Sequence, residues 1–336
     1  MLVVAAPDTF PGTASAAEVA AAVARAAMTA GAACDLAPVA DGGVGTLEAL
    51  GGAVRTATVR GPLGDPVKTE WRMQAGGTAV VEMARASGLS LVGGPEWNDP
   101  LRASTAGTGE LIAAAIDAGA SRVIVGAGGS ASTDGGLAAL TALNPGRRLH
   151  AGVELVVACD VQTLFVDAAE VYAPQKGATA AQVALLRRRL ERLAQVYLRD
   201  YGVDVSDLPG SGAAGGLAGG LAAAGAVLVP GFDVVADALG LPERIAAADL
   251  VVTGEGVLDG ESFEGKAVGG VVDLATDAGV PVLVVAGDAV PEELPELPPS
   301  VEVVSLVARL GVERAAADLT GCVEEVVRTH LTSVAG

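Results

Sequence analysis

Short runs of apolar, mostly β-branched residues recur along the chain, and each is followed by glycine or aspartate and then by a helical pattern. Such runs occupy residues 2–6, 122–125, 249–253 and 281–286. Strands that are apolar throughout are typical of a parallel sheet covered by helices on both faces. The Ala-rich stretch 15–30 has helical composition, and Ser15 with Glu18 predicts a capping box at its start. The chain is therefore predicted to be an α/β protein.

A different pattern occupies residues 54–91. Residues 55–60, 67–73 and 78–83 alternate apolar and polar positions and are joined by Gly-Pro and Gly-Gly turns. This indicates an antiparallel or mixed sheet with one solvated face. We predict a smaller mixed-sheet domain inserted into the parallel-sheet domain, with a cleft between them. The approximate bounds are 1–53, 104–160 and 231–336 for the discontinuous Rossmann-like domain, and 54–103 with 161–230 for the second.

Two further segments have distinctive patterns. Residues 180–201 have the spacing of a long amphipathic helix, in which Arg187, Arg188 and Arg189 are interpreted as a solvated face. The segment between Asp207 and Asp233 carries no charge, a length that could span a bilayer. Its glycine and alanine content and its flanking prolines instead favour a buried glycine-rich turn leading into a tightly packed helix.

Composition narrows the function classes. Hydrophobic residues make up 51% of the 336 residues and the net charge is −19, so the chain can bury a large core but is a poor partner for nucleic acid or anionic membranes. The three cysteines are far apart, which argues against a disulfide framework or structural zinc. No signal-peptide pattern begins the chain. We expect a cytoplasmic protein and leave a homodimer open.

Glycine and acidic residues gather where the predicted strands end. In open α/β sheets, ligands bind beyond the carboxyl ends of the strands. These positions are Asp8, Asp41 to Gly43, the loop 126–136, Cys159 with Asp160, and residues 253–259. Glycine loops let backbone N–H groups approach phosphate, and carboxylates hold Mg²⁺ or accept a proton. The combination predicts phosphoryl transfer, although the chain lacks the P-loop motif.

Eight motifs, in order, resemble those of the type I glycerate kinase family. They are Pro7 to Phe10, Ala40 to Gly43, Gly107 to Ile112, Gly128 to Gly136, Ala158 to Val161, Pro174 to Ala178, Gly212 to Gly216, and Thr253 to Gly256 with Asp259 and Lys266. The resemblance spans residues 7–266. It implies two α/β domains around a cleft and an ATP- and Mg²⁺-dependent kinase acting on D-glycerate or a related small hydroxy acid.

The resemblance also implies roles for single residues. Asp8, Asp134, Glu255 and Asp259 would be catalytic, and Asp160 with Glu255 would hold the metal. The residues expected to bind substrate or nucleotide are Asp41, Gly42, Gly43, Gly128, Gly129, Ser130, Lys176, Gly215, Gly216 and Lys266. For each of these residues, a turn, helix cap or salt bridge is the alternative interpretation.

The chain departs from the family pattern where charge would be expected. Pro11, Val44 and Val257 stand where the family motifs continue with Lys, Glu and Arg, and the stretch between Leu143 and Val153 looks short. Three hypotheses therefore stay open. The chain is a kinase for glycerate or a related hydroxy acid, a catalytically impaired paralogue that keeps the fold and binds nucleotide in a regulatory role, or another α/β enzyme.

Overall fold

The chain folds into two compact units, and the computed structural model describes residues 1–144, 152–263 and 265–334. The first unit combines Met1–Asp41 with Phe232–Gly336, and the second is Gly42–Gly231. The second unit is therefore inserted between two parts of the first, and it is the longer of the two.

Strands and helices are numbered in chain order. The strands are β1 (Leu2–Ala5), β2 (Ala33–Leu36), β3 (Ala53–Arg60), β4 (Pro66–Met73), β5 (Thr78–Glu82), β6 (Arg122–Gly126), β7 (Glu154–Ala158), β8 (Val227–Val229), β9 (Leu250–Thr253), β10 (Val257–Leu258), β11 (Val282–Ala286), β12 (Asp288–Ala289) and β13 (Val301–Ser305). The α-helices are α1 (Ala16–Thr29), α2 (Thr46–Leu50), α3 (Ala84–Ser87), α4 (Ala106–Asp117), α5 (Leu137–Leu143), α6 (Ala168–Tyr172), α7 (Ala180–Tyr201), α8 (Ala213–Ala223), α9 (Gly231–Leu239), α10 (Leu241–Ala246), α11 (Ala267–Ala278), α12 (Leu306–Leu310), α13 (Val312–Ala317) and α14 (Leu319–Val334). Short 3₁₀ helices cover Leu89–Val92, Pro174–Lys176, Glu261–Phe263 and Pro291–Glu293.

A parallel sheet of five strands forms the centre of the first unit, in the order β13-β11-β9-β1-β2. Val3 and Val4 on β1 are both fully buried, which is why this strand is apolar at successive positions. Helices α1 and α14 pack against one another and share a core with this sheet. At the start of α1, the Ser15 hydroxyl accepts the Glu18 amide and the Glu18 carboxylate accepts the Ser15 amide. The predicted capping box is confirmed.

A mixed sheet of six strands forms the centre of the second unit, in the order β3-β4-β5-β6-β7-β8. Strands β3, β4 and β5 are antiparallel, and β5 to β8 run parallel. Helix α7 buries Leu186, Leu190, Ala194 and Tyr197, whose spacing of four, four and three residues places them on one helix face. The predicted α/β class, with one parallel sheet and a separate mixed sheet, is confirmed.

The division between the units differs from the predicted one. Residues 104–160 were assigned by pattern to the parallel-sheet domain, but β6 pairs with β5 and β7 pairs with β6 in the mixed sheet. A strand buried on both faces is apolar in either sheet, so its pattern does not identify its neighbours. For the same reason the inserted unit is larger than predicted. Most of the stretch between Leu143 and Val153 lies outside the described residues.

The uncharged segment forms a glycine-rich turn and the buried helix α8, as its composition predicts. Ala214, Gly215 and Gly216 interrupt this helix with left-handed backbone conformations. Within the described residues, no helix combines the length and the apolar character that crossing a membrane requires.

Candidate active site

Three carboxylates lie near one another at the carboxyl edge of the parallel sheet in the first unit. Asp8 follows β1, Asp41 follows β2 and Glu255 follows β9, and these strands are neighbours. Burial is the main cause that raises the pKa of Asp8 from 3.8 to about 8, and the charges of Asp41 and Glu255 add to it. The Thr9 amide, which donates to Asp8 Oδ1 at 2.6 Å, opposes the rise. A cation at this cluster would relieve the repulsion among the carboxylates.

Glu255 is partly buried and only partly satisfied. Burial raises its pKa, Asp259 and Asp41 add to the rise, and Ser262 and Lys266 oppose it. Its Oε1 atom is buried and has no hydrogen-bond partner. An unpaired buried polar atom costs about 1–3 kcal/mol, so its presence indicates a missing partner such as a ligand.

The other two predicted residues of the first unit have local partners. Asp259 Oδ1 accepts the amide and the hydroxyl of Ser262 at 3.1 and 3.2 Å, which closes the turn there. Lys266 forms an ion pair of 3.1 Å with Glu261. Burial would lower the pKa of Lys266, but Glu261 foremost, then Asp259 and Glu255, raise it. Lys266 therefore keeps its positive charge beside the acidic cluster.

The acidic cluster fits Mg²⁺ bound together with a phosphate. Within the ranges that the structure describes, no group of three or more His, Cys, Asp and Glu side chains is arranged to hold a metal. Mg²⁺ is usually bound through one or two carboxylates, with waters and substrate phosphates as its other ligands. Asp8 and Glu255 supply carboxylate oxygens of this kind, and Glu255 Oε1 lacks a protein partner.

The second unit has a cavity of about 340 Å³ beyond the carboxyl end of β6. Four predicted binding residues line it: Gly128, Gly129, Ser130 and Lys176. The remaining lining residues are Leu89, Ala127, Val161, Tyr172, Gln175 and Ala214. A cavity of this volume is in the range that small-molecule ligands occupy, about 300–1,000 Å³.

Lys176 is buried in the wall of this cavity, with 3% of its surface exposed. Its Nζ donates to Ser130 Oγ and to the Ser132 carbonyl, both at 2.6 Å, and lies 6.0 Å from the centre of the Tyr172 ring. Burial lowers its pKa from 10.5 to about 7, against the opposing charge of Asp134. Two of the three ammonium protons therefore hold the loop 130–132 in place.

The predicted glycines of two loops in the second unit allow those loops to touch. A Cβ atom at Gly42 would lie 2.8 Å from Gly231 Cα, and one at Gly128 would lie 2.8 Å from Gly43 Cα. A Cβ atom at Gly126 would lie 2.7 Å from the Gly42 carbonyl oxygen. Close packing alone therefore explains these glycines, and their contact with a ligand stays a prediction.

Gly215 and Gly216 pack against the loop that holds Ser132 and Gly135. A Cβ atom on Gly215 would lie 2.0 Å from the Ser132 carbonyl oxygen, and one on Gly216 would lie 2.9 Å from Gly135 Cα. Ala214 adopts φ 53° and ψ 38°, a left-handed conformation that alanine rarely takes. Such strain often occurs at ligand sites, and Ala214 lines the cavity.

Asp134 caps two helices. Its Oδ2 accepts the amide and hydroxyl of Thr105, both at 2.9 Å, directly before α4. Its Oδ1 accepts the Gly136 amide at 3.2 Å, directly before α5. Burial raises its pKa, and these donors oppose the rise. This geometry gives Asp134 a structural role, and its predicted catalytic role stays a prediction.

Asp160 follows β7 in the second unit. Its Oδ1 accepts the Gly231 amide at 2.6 Å, and its neighbour Cys159 is buried. Asp160 and Glu255, the two predicted metal ligands, belong to different units. Their joint action on a metal stays a prediction.

The three apolar departures lie beside these groups of residues. Val257, at 56% exposure, follows the Glu255 loop, and a Cβ atom on Gly256 would lie 2.9 Å from Pro11 Cδ. Val44, at 60% exposure, lies beside Gly129. The two valines are not part of the core, so core packing does not explain why these positions are apolar.

Sequence reasoning missed several residues of the cavity. Tyr172 and Gln175 line it, and Gln175 stands beside Lys176 in a motif already singled out. Tyr172 ends one helix and Lys176 belongs to the 3₁₀ helix that begins at Pro174, so no helical spacing indicated their contact. Ser132 binds Lys176 through its backbone carbonyl, and a backbone contact leaves no sequence signal.

The two sheets are those of a known class of kinase. The model of the Glycerate kinase family matches residues 3–151 and 144–329. The chain belongs to the glycerate kinase family, which confirms the resemblance seen in the motifs.

Particular relatives agree with this assignment. The chain is 40% identical over 325 residues to a glycerate 2-kinase from Escherichia coli (strain K12), covering 85% of each chain. It is 39% identical over 325 residues to a glycerate kinase from Bacillus subtilis (strain 168), again covering 85% of each. A crystal structure from Salmonella typhimurium LT2, described as a glycerate kinase 2, has a TM-score of 0.81 and 33% identity. That match covers 99% of this chain and 98% of the other.

Proposed function

We propose that this chain is an ATP- and Mg²⁺-dependent kinase that phosphorylates a hydroxyl group of D-glycerate or a related small hydroxy acid. The observation that carries the proposal is the acidic cluster of Asp8, Asp41 and Glu255, in which Glu255 Oε1 is buried without a partner. Relatives named glycerate kinase at about 40% identity support the choice of acceptor.

The acidic residues of the first unit have separate tasks in this proposal. Glu255 would hold Mg²⁺, which when bound neutralises charge on the phosphates. Asp8 accepts the proton of the attacking hydroxyl, since a pKa of about 8 suits a base that acts near neutral pH. Lys266 remains charged and attracts the phosphates.

The second unit contributes backbone N–H groups and the buried Lys176. Backbone N–H groups of Gly128 and Gly129 bind phosphate oxygens in the cavity, where Lys176 fixes the adjoining loop. Positioning and charge stabilisation are the main demands of phosphoryl transfer, which needs little covalent chemistry from the protein.

An assay that measures ADP release tests this proposal directly. The purified chain is incubated with ATP and Mg²⁺ and with glycerate, tartronate or lactate, and parallel reactions contain EDTA. We expect release of ADP that depends on one of the acids and disappears with EDTA. A correctly folded protein that releases no ADP with any acid would contradict the proposal.

A second function has its own supporting observation. Val44 and Val257 expose apolar side chains beside the two groups of residues just described, at positions where the family motifs continue with the charged residues Glu and Arg. This favours a catalytically impaired paralogue that retains nucleotide binding in a regulatory role. Such a protein would be stabilised by nucleotide, by about 2.7 kcal/mol at a hundredfold excess over Kd, without turnover.

Restoring the charges separates the two functions. If only those charges are missing, Val257→Arg and Val44→Glu together create turnover that the natural chain lacks. Val312→Arg and Val227→Glu are matched controls because these valines are also exposed, on α13 and β8. Robust turnover by the natural chain rules out the impaired paralogue.

A further inference from the structure

A second cavity of about 380 Å³ lies in the second unit and is assigned no role by the proposed kinase function. Its apolar lining comes from Leu101, from Leu137 of α5, and from Leu190, Leu193 and Val196 of α7. Its volume lies within the range of about 300–1,000 Å³ that small ligands occupy. An apolar lining of this kind fits an aliphatic or aromatic body.

Two arginines of α7 also line this cavity. Arg189 and Arg192 are three residues apart, which makes them neighbours on the helix surface. Arg189 donates to the Leu101 carbonyl at 3.0 Å. Among residues 1–144, 152–263 and 265–334, no carboxylate lies within ion-pair distance of either arginine.

Arg189 and Arg192 thus differ from Arg187 of the same helix, which is paired with Asp167, Glu170 and Glu191. They are exposed. Two neighbouring like charges on a helix repel one another only weakly, and an anion bound between them removes this repulsion. The arginine fork binds a carboxylate with two parallel hydrogen bonds, which makes a carboxylate a suitable anion here.

Asp134 is the carboxylate in the lining of this cavity, and it forms no ion pair with the two arginines. Its oxygens accept the amide and hydroxyl of Thr105 and the amide of Gly136. Its hydrogen bonds therefore point to the starts of two helices, and the arginines stay available to a ligand.

We infer that this cavity is a binding site for a small organic acid with an apolar body. The carboxylate of the ligand pairs with Arg189 and Arg192, and its body packs against the leucines of α7. This assignment does not rest on the kinase function, because the cavity around Lys176 has a different lining.

Calorimetric titration of the full chain with three simple probes tests the site. Hexanoate carries both the charge and the apolar body, hexan-1-ol carries the body alone, and acetate carries the charge with almost no body. We expect hexanoate to bind at least about tenfold more tightly than either of the other two, because only hexanoate satisfies both the arginines and the apolar lining.

Substitutions then locate the site. Arg192→Ala should weaken hexanoate binding about tenfold, and Arg188→Ala should leave it unchanged, because Arg188 is an exposed arginine of the same helix that does not line the cavity. Leu193→Trp, which fills the cavity, should also abolish binding; circular dichroism confirms that each variant is folded.

Three results would overturn the inference. One is the absence of hexanoate binding to the natural chain. Another is equal binding by the natural chain and by folded Arg192→Ala. The third is association of two chains that Arg192→Ala abolishes while hexanoate has no effect, which would make this face a contact between copies.

Discussion

Lys176 and Ser130, which are 46 residues apart in the chain, are joined by a hydrogen bond of 2.6 Å in the second unit, where the lysine side chain is buried. The same amine binds the Ser132 carbonyl. An amine whose protons are directed at its own protein acts on a ligand chiefly by fixing the loop that the ligand touches.

The buried lysine should make stability depend on pH. Its pKa is about 7 in the folded chain and near 10.5 in the unfolded chain, so the unfolded state holds more protons between these values. Stability from this group therefore rises with pH from about 7 to about 10, by at most about 1.4 kcal/mol per pH unit. Lys176→Met should lose this rise, measured as the urea-unfolding free energy at pH 7 and pH 9.

Lys68→Met is the control for that measurement because Lys68 is exposed on β4. It should keep the pH dependence of the natural chain. If Lys176→Met and the natural chain change equally between pH 7 and pH 9, the lysine is charged throughout that range and the prediction is wrong.

Asp8 should make stability fall as pH rises, which is the opposite of the effect of Lys176. Its pKa is about 8 in the folded chain and near 3.8 when unfolded, so the folded state holds more protons between these values. Stability from this group falls as pH rises from about 4 to about 8. Asp8→Asn should lessen that fall, and Mg²⁺ should stabilise the natural chain at pH 8 more than the variant, measured by thermal unfolding.

Asp237→Asn is the control, because Asp237 is exposed in the same unit. Its thermal stability at pH 5 and at pH 8 should equal that of the natural chain. A fall in stability between pH 5 and pH 8 that Asp8→Asn does not alter would show that Asp8 is ionised throughout.

The double cap at Asp134 predicts a large loss of stability. Asp134→Ala leaves the amides at the starts of α4 and α5 without their partner, and each lost cap costs about 0.5–2 kcal/mol. We expect about 2–4 kcal/mol in urea unfolding, against about 1 kcal/mol for Ser15→Ala, which removes one cap. A variant with full stability and no turnover would instead assign Asp134 to catalysis.

Replacing Ala214 by glycine should stabilise the protein. Its left-handed conformation costs alanine about 1–2 kcal/mol, so Ala214→Gly should raise the free energy of unfolding by about 1 kcal/mol. Ala218→Gly, at a helical position of α8, should lower it by about 1 kcal/mol or more. Equal losses for both variants would show that Ala214 is not strained.

Gly215 should tolerate no side chain. Its φ is +71°, and an added Cβ would meet the Ser132 carbonyl oxygen at 2.0 Å. Gly202 has a φ of +73° with nothing within 4 Å of an added Cβ. Gly202→Ala therefore measures the backbone strain alone, about 1 kcal/mol, and Gly215→Ala should lose several times more in chemical unfolding. If the two variants lose similar amounts of stability, Gly215 and the Ser132 carbonyl are farther apart than this contact requires.

The sequence predicted the elements better than their arrangement. The apolar runs, the Ser15 capping box and the helix 180–201 are local patterns, and all are present. The membership of β6 and β7 in the mixed sheet depends on pairing between distant segments, which apolar runs do not encode. The motifs identified Asp134 as a site residue. They did not predict its hydrogen bonds at the starts of two helices, because these need Thr105 and Gly136 to lie close to the same side chain in the fold.

The loop 130–136 contributes Ser130 to the lining of one cavity and Thr133 and Asp134 to that of the other. A short segment shared in this way links two equilibria. If an occupant of one cavity shifts this loop, it changes the affinity of the other cavity by some factor, and thermodynamic reciprocity requires the same factor in the reverse direction. These seven consecutive residues would then couple ligand binding at the two cavities of the second unit.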